Sequence, residues 1–155
     1  MCQSRSEIVT KSTEDITCYK VLQHHHIDFK PCLGKKGEVM DYYTGPYQMK
    51  RYEAGNVYVD AREPDVRNKF GNISIHGGFF HLMRDMESAR RMIEFFNINY
   101  PYANYAIATC TIPKGTEISR GLFTIAATEE HEAIRCSSIC AKVFNLKEIS
   151  EDVSD

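Results

Sequence analysis

The run from residue 73 to residue 96 constrains the fold most, because a glycine-rich strand there feeds directly into a capped amphipathic helix. Its centre reads Ile75-His76-Gly77-Gly78-Phe79-Phe80-His81-Leu82. Glycine permits close approach of the backbone to other backbone or to a ligand. A Phe pair can seal a core while its neighbours face a cleft. The expectation is one strand that presents His76 and His81 beside a helix N-terminus, an arrangement suited to a polar ligand.

The helix is expected over about 85–96. Asp85 stands just before the periodic residues, where its carboxylate can accept orphan amide hydrogens of the first turn. Met86, Ala89, Ile93 and Phe96 follow three-four spacing, and Met92 and Phe95 widen the stripe. Glu87 and Arg91 are four apart in the favourable order on the outer face. Asn97-Ile98-Asn99 and Pro101 predict an end near Asn97. Arg84, one residue before the cap, lies where helix amides and a guanidinium together suit an anion.

Elsewhere the pattern predicts strands. Residues 16–22 alternate, with Cys18, Lys20 and Leu22 on one face and Tyr19 and Val21 on the other. Three histidines, His24 to His26, follow; on a strand they alternate and on a loop they splay, so they read as solvated rather than as a metal site. Residues 28–41 and 60–71 read as surface connections, and 56–59 as a short strand entered through a Gly55-Asn56 turn. Residues 105–112 carry no charge on either face and read as a central strand. A turn follows with Pro113 second and Gly115 fourth. Short strands are expected at 117–118 and 122–125, and a closing hairpin around Ser137-Ser138. Residues 1–14 and 148–155 read as loose termini. The sum is a single α+β domain of mostly antiparallel short strands with one main helix.

Composition narrows the function classes. A chain of 155 residues with 43% hydrophobic and 26% charged residues can bury its own core. A net charge of −2 with no long basic run argues against general nucleic-acid binding. No apolar run suits a membrane span and no leader pattern opens the chain, so a cytoplasmic protein is expected. The six cysteines lack paired Cys-x-x-Cys spacing, so they read as small buried hydrophobes, with no metal or cofactor expected.

Two resemblances add to this. Cys18-Tyr19-Lys20-Val21-Leu22, Pro46-Tyr47-Gln48 with Gly55-Asn56-Val57-Tyr58, Gly77-Gly78-Phe79-Phe80-His81 and Ile112-Pro113-Lys114-Gly115-Thr116 resemble a set of small uncharacterised proteins of gut bacteria and their phages. That resemblance implies a phage or mobile-element setting, with the host cytoplasm as its compartment, and no particular activity. The order of elements is also similar to the ADP-ribosyltransferase fold. The counterparts that this implies are Tyr19-Lys20 on the first strand, Gly78-Phe79-Phe80-His81 with Ala89 on the helix, and Glu130 or Glu132 late in the chain. A carboxylate such as Glu132 would stabilise positive charge as a nicotinamide glycosidic bond breaks. Lys20 stands where that fold carries Arg or His, and Phe79-Phe80-His81 replaces its Ser-Thr-Ser or Tyr.

The expected function is therefore a non-catalytic protein that captures a small anionic, nucleotide-like ligand through Tyr19, Lys20, His76, His81 and Arg84. In a phage this would be sequestration of a host signalling nucleotide. The alternatives are a transferase or glycohydrolase using Glu132, and an inhibitor that binds a protein. Self-association is left open by the sequence.

Overall fold

The computed structural model describes residues 3–24, 39–40, 51–99 and 104–150. In chain order the elements are β1 (Gln3–Ser6), β2 (Thr10–Lys11), β3 (Ile16–His24), β4 (Val39–Met40), β5 (Arg51–Tyr52) and β6 (Val57–Val59). Then come β7 (Asp65–Lys69), β8 (Asn72–Gly77), β9 (Phe80–Met83), α1 (Met86–Asn99), β10 (Asn104–Ile112), β11 (Glu117–Ile125), β12 (Ile134–Ala141) and β13 (Val143–Ser150). The strands form one sheet in the order β6-β13-β10-β3-β9-β12-β11-β1-β8-β7, with β2 on β11 and β4 between β3 and β5. Every pairing among the described strands is antiparallel. Among the described residues the architecture is α+β, strand-rich and with one helix.

Alternation along the central strands builds two cores on opposite faces. Cys18 and Leu22 of β3, Ala106, Ala108 and Cys110 of β10, and Leu82 of β9 share one face with Tyr52, Phe144 and Leu146. Val21, Ile107, Met83 and Cys136 lie on the other, under Ala89, Met92, Ile93 and Phe96 of α1. The expected helix stripe is the buried one, with Met86 and Phe95 at its margins. Asp85 caps the helix, its Oδ1 accepting the Ser88 amide at 2.6 Å. The helix runs to Asn99, past the end expected near Asn97. Its main neighbours are β12 and β3, with β9 a lesser one. β10 is central, between β13 and β3.

The glycine-rich run differs from its expectation in an instructive way. It is two strands, not one: β8 pairs with β1 and β7, whereas β9 pairs with β12 and β3. Gly78 divides them at φ +78, and a Cβ there would stand 2.4 Å from the Glu63 carbonyl oxygen. The close approach that glycine permits is thus to backbone, and His76 and His81 belong to separate strands.

Other boundaries also move. Residues 3–6 are not a loose end: β1 is inserted between β11 and β8, and Gln3 is buried. Gln3 Nε2 donates to Ser6 Oγ at 2.7 Å, and the Gln3 Oε1 accepts from Ser138 Oγ at 2.7 Å. Beside it, a Cβ on Gly121 would fall 2.0 Å from the Arg5 carbonyl oxygen. Residues 148–150 likewise belong to β13. Strand β7 lies inside the stretch 60–71 expected to be a connection, because an edge strand exposed on both faces has no apolar alternation to betray it. The chain passes straight through Ser137 and Ser138 as the middle of β12; Lys142 is the break, and β12 pairs with β11 and β9 rather than with β13. β11 is one strand where two were expected. The turn after β10 has Lys114 and Gly115 at its centre, closed by the Thr116 amide on the Pro113 carbonyl at 3.3 Å, so it starts one residue later than expected.

Candidate functional site

The six residues singled out from sequence do not gather at one place. Tyr19 and Lys20 are successive on β3 and face opposite ways. Tyr19 packs half-buried against the core beneath α1. Lys20 is only 1% exposed, so it is not the solvated strand lysine that its residue type suggests. Its Nζ donates to the His81 carbonyl at 3.0 Å and lies 5.7 Å from the Tyr52 ring centre and 5.9 Å from that of Phe144. A carbonyl and two ring faces offset part of the cost of removing an ammonium from water.

His81 is half-buried and its Nδ1 lies 3.3 Å from Cys140 Sγ, on the residue directly opposite across β9 and β12. His76, on β8, is half-buried with its Nε2 3.0 Å from Ser74 Oγ. Arg84 is exposed, and its amide donates to the Ser137 carbonyl at 2.8 Å. The adjacent helix terminus already has a carboxylate of its own in Asp85. The structure brings Lys20 to the His81 backbone, and leaves His76 on β8 and Arg84 in the link between β9 and α1.

Glu132 lies apart from all of these, in an open cleft of about 460 Å³ between the outer face of α1 and the segment leading into β12. Arg91, Glu94 and Ile98 line it from the helix, and His131, Glu132 and Arg135 line it from the other wall. Thr128 and His131 close the turn below: the Thr128 amide donates to the His131 carbonyl at 2.8 Å, and the His131 amide donates to Thr128 Oγ1 at 3.1 Å. Arg91 is positioned over this cleft by two contacts. Its Nη1 donates to the Arg135 carbonyl at 3.1 Å, and its Nη2 pairs with Glu87, the helix partner expected from the spacing.

The cleft combines two guanidinium groups and an imidazole with two carboxylates and the apolar side chains of Ile98 and Ile134. In the sequence Arg91 stands out only as the helix partner of Glu87, and Arg135 does not stand out at all. The available signal was spacing: Arg91, Glu94 and Ile98 at i, i+3 and i+7 form one line along the helix face turned away from the core.

The thiols are of a different character. Cys18, Cys110, Cys136 and Cys140 are free and buried; Cys2 and Cys32 lie outside the described residues, as do His25 and His26. Burial pushes the Cys110 thiol up to about 12 and the Cys136 thiol up to about 11, and drives Cys18 higher still. Thiols held neutral in this way are poor nucleophiles and poor metal ligands. Among the described residues no group of three His, Cys, Asp or Glu side chains is placed to hold a metal ion, and no helix is long and apolar enough to cross a membrane.

No protein-family model matches the chain, and no curated protein or solved structure matches it.

Proposed function

We propose that the protein binds a small anionic, nucleotide-like molecule and releases it unchanged. The observation that carries this reading is the cleft over α1, where Arg91 is held in place by Glu87 and by the Arg135 backbone while Arg135 and His131 line the other wall. A guanidinium fixed before binding loses little freedom when it meets a phosphate. Ile98 and Ile134 supply apolar surface for the remainder of such a ligand. In the phage setting implied by the sequence resemblance, capture would withdraw a signalling nucleotide from the host.

Glu132 in the same cleft favours a second reading, cleavage of a nicotinamide glycosidic bond by an ADP-ribosyltransferase-like protein. Of the counterparts proposed for that chemistry, only Glu132 lines the cleft; Lys20 points its ammonium into the core and His81 lies against Cys140.

Calorimetry with linear and cyclic nucleotides, run beside an assay for nicotinamide release from the dinucleotide, separates the two. For a binder, Arg135→Ala weakens the anion by about 1.5–3 kcal/mol. Glu132→Gln removes a negative charge near it and leaves affinity equal or tighter. For an enzyme, Glu132→Gln lowers turnover by about 100-fold or more, since the carboxylate acts on charge that exists only in the transition state. Recovery of intact, tightly bound nucleotide excludes the enzyme, and Glu132-dependent release excludes the binder. Silence in both assays transfers the weight to a protein-binding inhibitor.

A further inference from the structure

Strand β7 closes one end of the sheet and has β8 as its single strand neighbour among the described residues. Each of its five residues is exposed, Val66 to 42%. Its hairpin with β8 turns through Phe70 and Gly71, at φ 54 and φ 79. Two successive positive φ values define the tight turn whose twist matches that of paired strands. Such a turn closes on a hydrogen-bonded pair, which is Lys69 with Asn72 in this register. The main-chain groups of Lys69 and Arg67 therefore turn toward β8, and those of Asn68 and Val66 turn outward. The irregularity at the other end lies on β8, where Asp65 faces Gly77 and Val66 faces Ile75, so β7 itself alternates without interruption.

Charge along this edge is patterned. Asp65 and Arg67 lie on one face of β7 and pair at 3.1 Å, with Lys69 beyond Arg67 on the same face. Consider β7 placed antiparallel to its own copy. A two-fold axis through Arg67 sets that guanidinium against itself, and one through Asn68 sets Arg67 against Lys69. An axis through Val66 sets Asp65 against Arg67 of the second copy and Arg67 against its Asp65. Val66 then meets Val66 as a hydrogen-bonded pair, which is what its outward amide and carbonyl require. Charged residues on an edge strand ordinarily discourage pairing, but in this single register every opposed charge is of opposite sign.

We propose that the protein forms a two-fold dimer by pairing β7 edge to edge across Val66, which extends the sheet through two copies. The retained Asp65–Arg67 pair of each chain becomes part of a four-charge cluster that spans the axis. A pairing this short makes a reversible dimer, seen at high concentration and loosened by salt.

Sedimentation equilibrium over a concentration series tests the proposal on the full chain. Wild type is expected to shift from the mass of one 17.8-kDa chain toward two. Asp65→Arg and Arg67→Asp, each alone, set like charges across the axis and should weaken association at least tenfold. The double exchange, Asp65→Arg with Arg67→Asp, restores every opposition and should restore the dimer. Circular dichroism melts confirm that each variant is folded, as substitutions on a solvent-facing strand allow. Under mild oxidation Val66→Cys should cross-link to itself, whereas Asn68→Cys should not. A wild type that is monomeric throughout, a dimer indifferent to the single reversals, or a double exchange that fails to recover each overturns the proposal.

Discussion

The ammonium of Lys20 donates to the main-chain carbonyl of His81 at 3.0 Å, on the face of the sheet opposite to the one where the His81 ring meets Cys140. Two residues that the sequence nominates for one ligand site thus meet by backbone and side chain inside the core. Lys20→Ala leaves a gap beside Tyr52 and Phe144 together with a carbonyl deprived of this donor, and should cost about 2–4 kcal/mol. Lys20→Met refills most of the volume and should cost less. Urea denaturation of the two variants checks the order; a harmless Lys20→Ala would refute the buried arrangement.

Adjacent glycines should respond differently to the same methyl group. Gly78 has positive φ and no room beside Glu63 and Pro64, so Gly78→Ala combines backbone strain with a clash that backbone atoms cannot easily relieve. A loss of about 2 kcal/mol or more is expected. The nearest atom to a Cβ on Gly77 is Asp65 Cβ at 3.8 Å, an ordinary contact. Gly77→Ala should stay within about 1 kcal/mol of wild type. Thermal melts of the pair read the difference directly.

On the helix, Ile93 is buried and Arg90 is exposed. Ile93→Ala should cost about 2–4 kcal/mol and Arg90→Ala less than about 0.5 kcal/mol. Asp85→Ala removes the acceptor of the Ser88 amide and should cost about 1 kcal/mol. Equilibrium unfolding with the order of Ile93 and Arg90 reversed would mean that the buried face has been misassigned.

What could be read from sequence followed from how each residue meets water. The stripe Met86, Ala89, Ile93 and Phe96 repeats at the helical period because one face is buried, and the uncharged run of β10 is central because both faces are. β7 escaped notice for the converse reason, since an exposed edge places no demand on its side chains. Ser137 and Ser138 resemble a turn in composition. In β12 the first donates its amide to Ser88 Oγ at 2.9 Å and the second satisfies the buried Gln3, and these partners are 49 and 135 positions away. No local rule sees bonds of that range. The site suffered likewise: His76 and His81 are five residues apart, but the turn at Gly78 sends them to strands with different neighbours. Glu132 and Arg91 line one cleft because α1 lies along β12, a packing relation rather than a motif.

Asp60 is buried, with its side chain 4% exposed, while the Arg62 side chain is 64% exposed. The Arg62 guanidinium donates through Nε to Oδ1 at 2.9 Å and through Nη2 to Oδ2 at 2.6 Å, and the Arg62 amide adds a bond to Oδ1 at 3.0 Å. These bonds, the guanidinium ones foremost, hold the Asp60 carboxyl below its ordinary value against the opposing effect of burial. A carboxyl depressed on folding adds stability that is complete above its unfolded pKa of about 3.9 and is lost as pH falls through the lower, folded value. Asp60→Asn keeps the shape but not the charge, so it should be less stable than wild type by about 1–2 kcal/mol at neutral pH. That gap should narrow only below about pH 4. Urea midpoints of both proteins from neutral pH into acid measure it. A gap that stays constant, or that widens in acid, would show that Asp60 is not held ionised by Arg62.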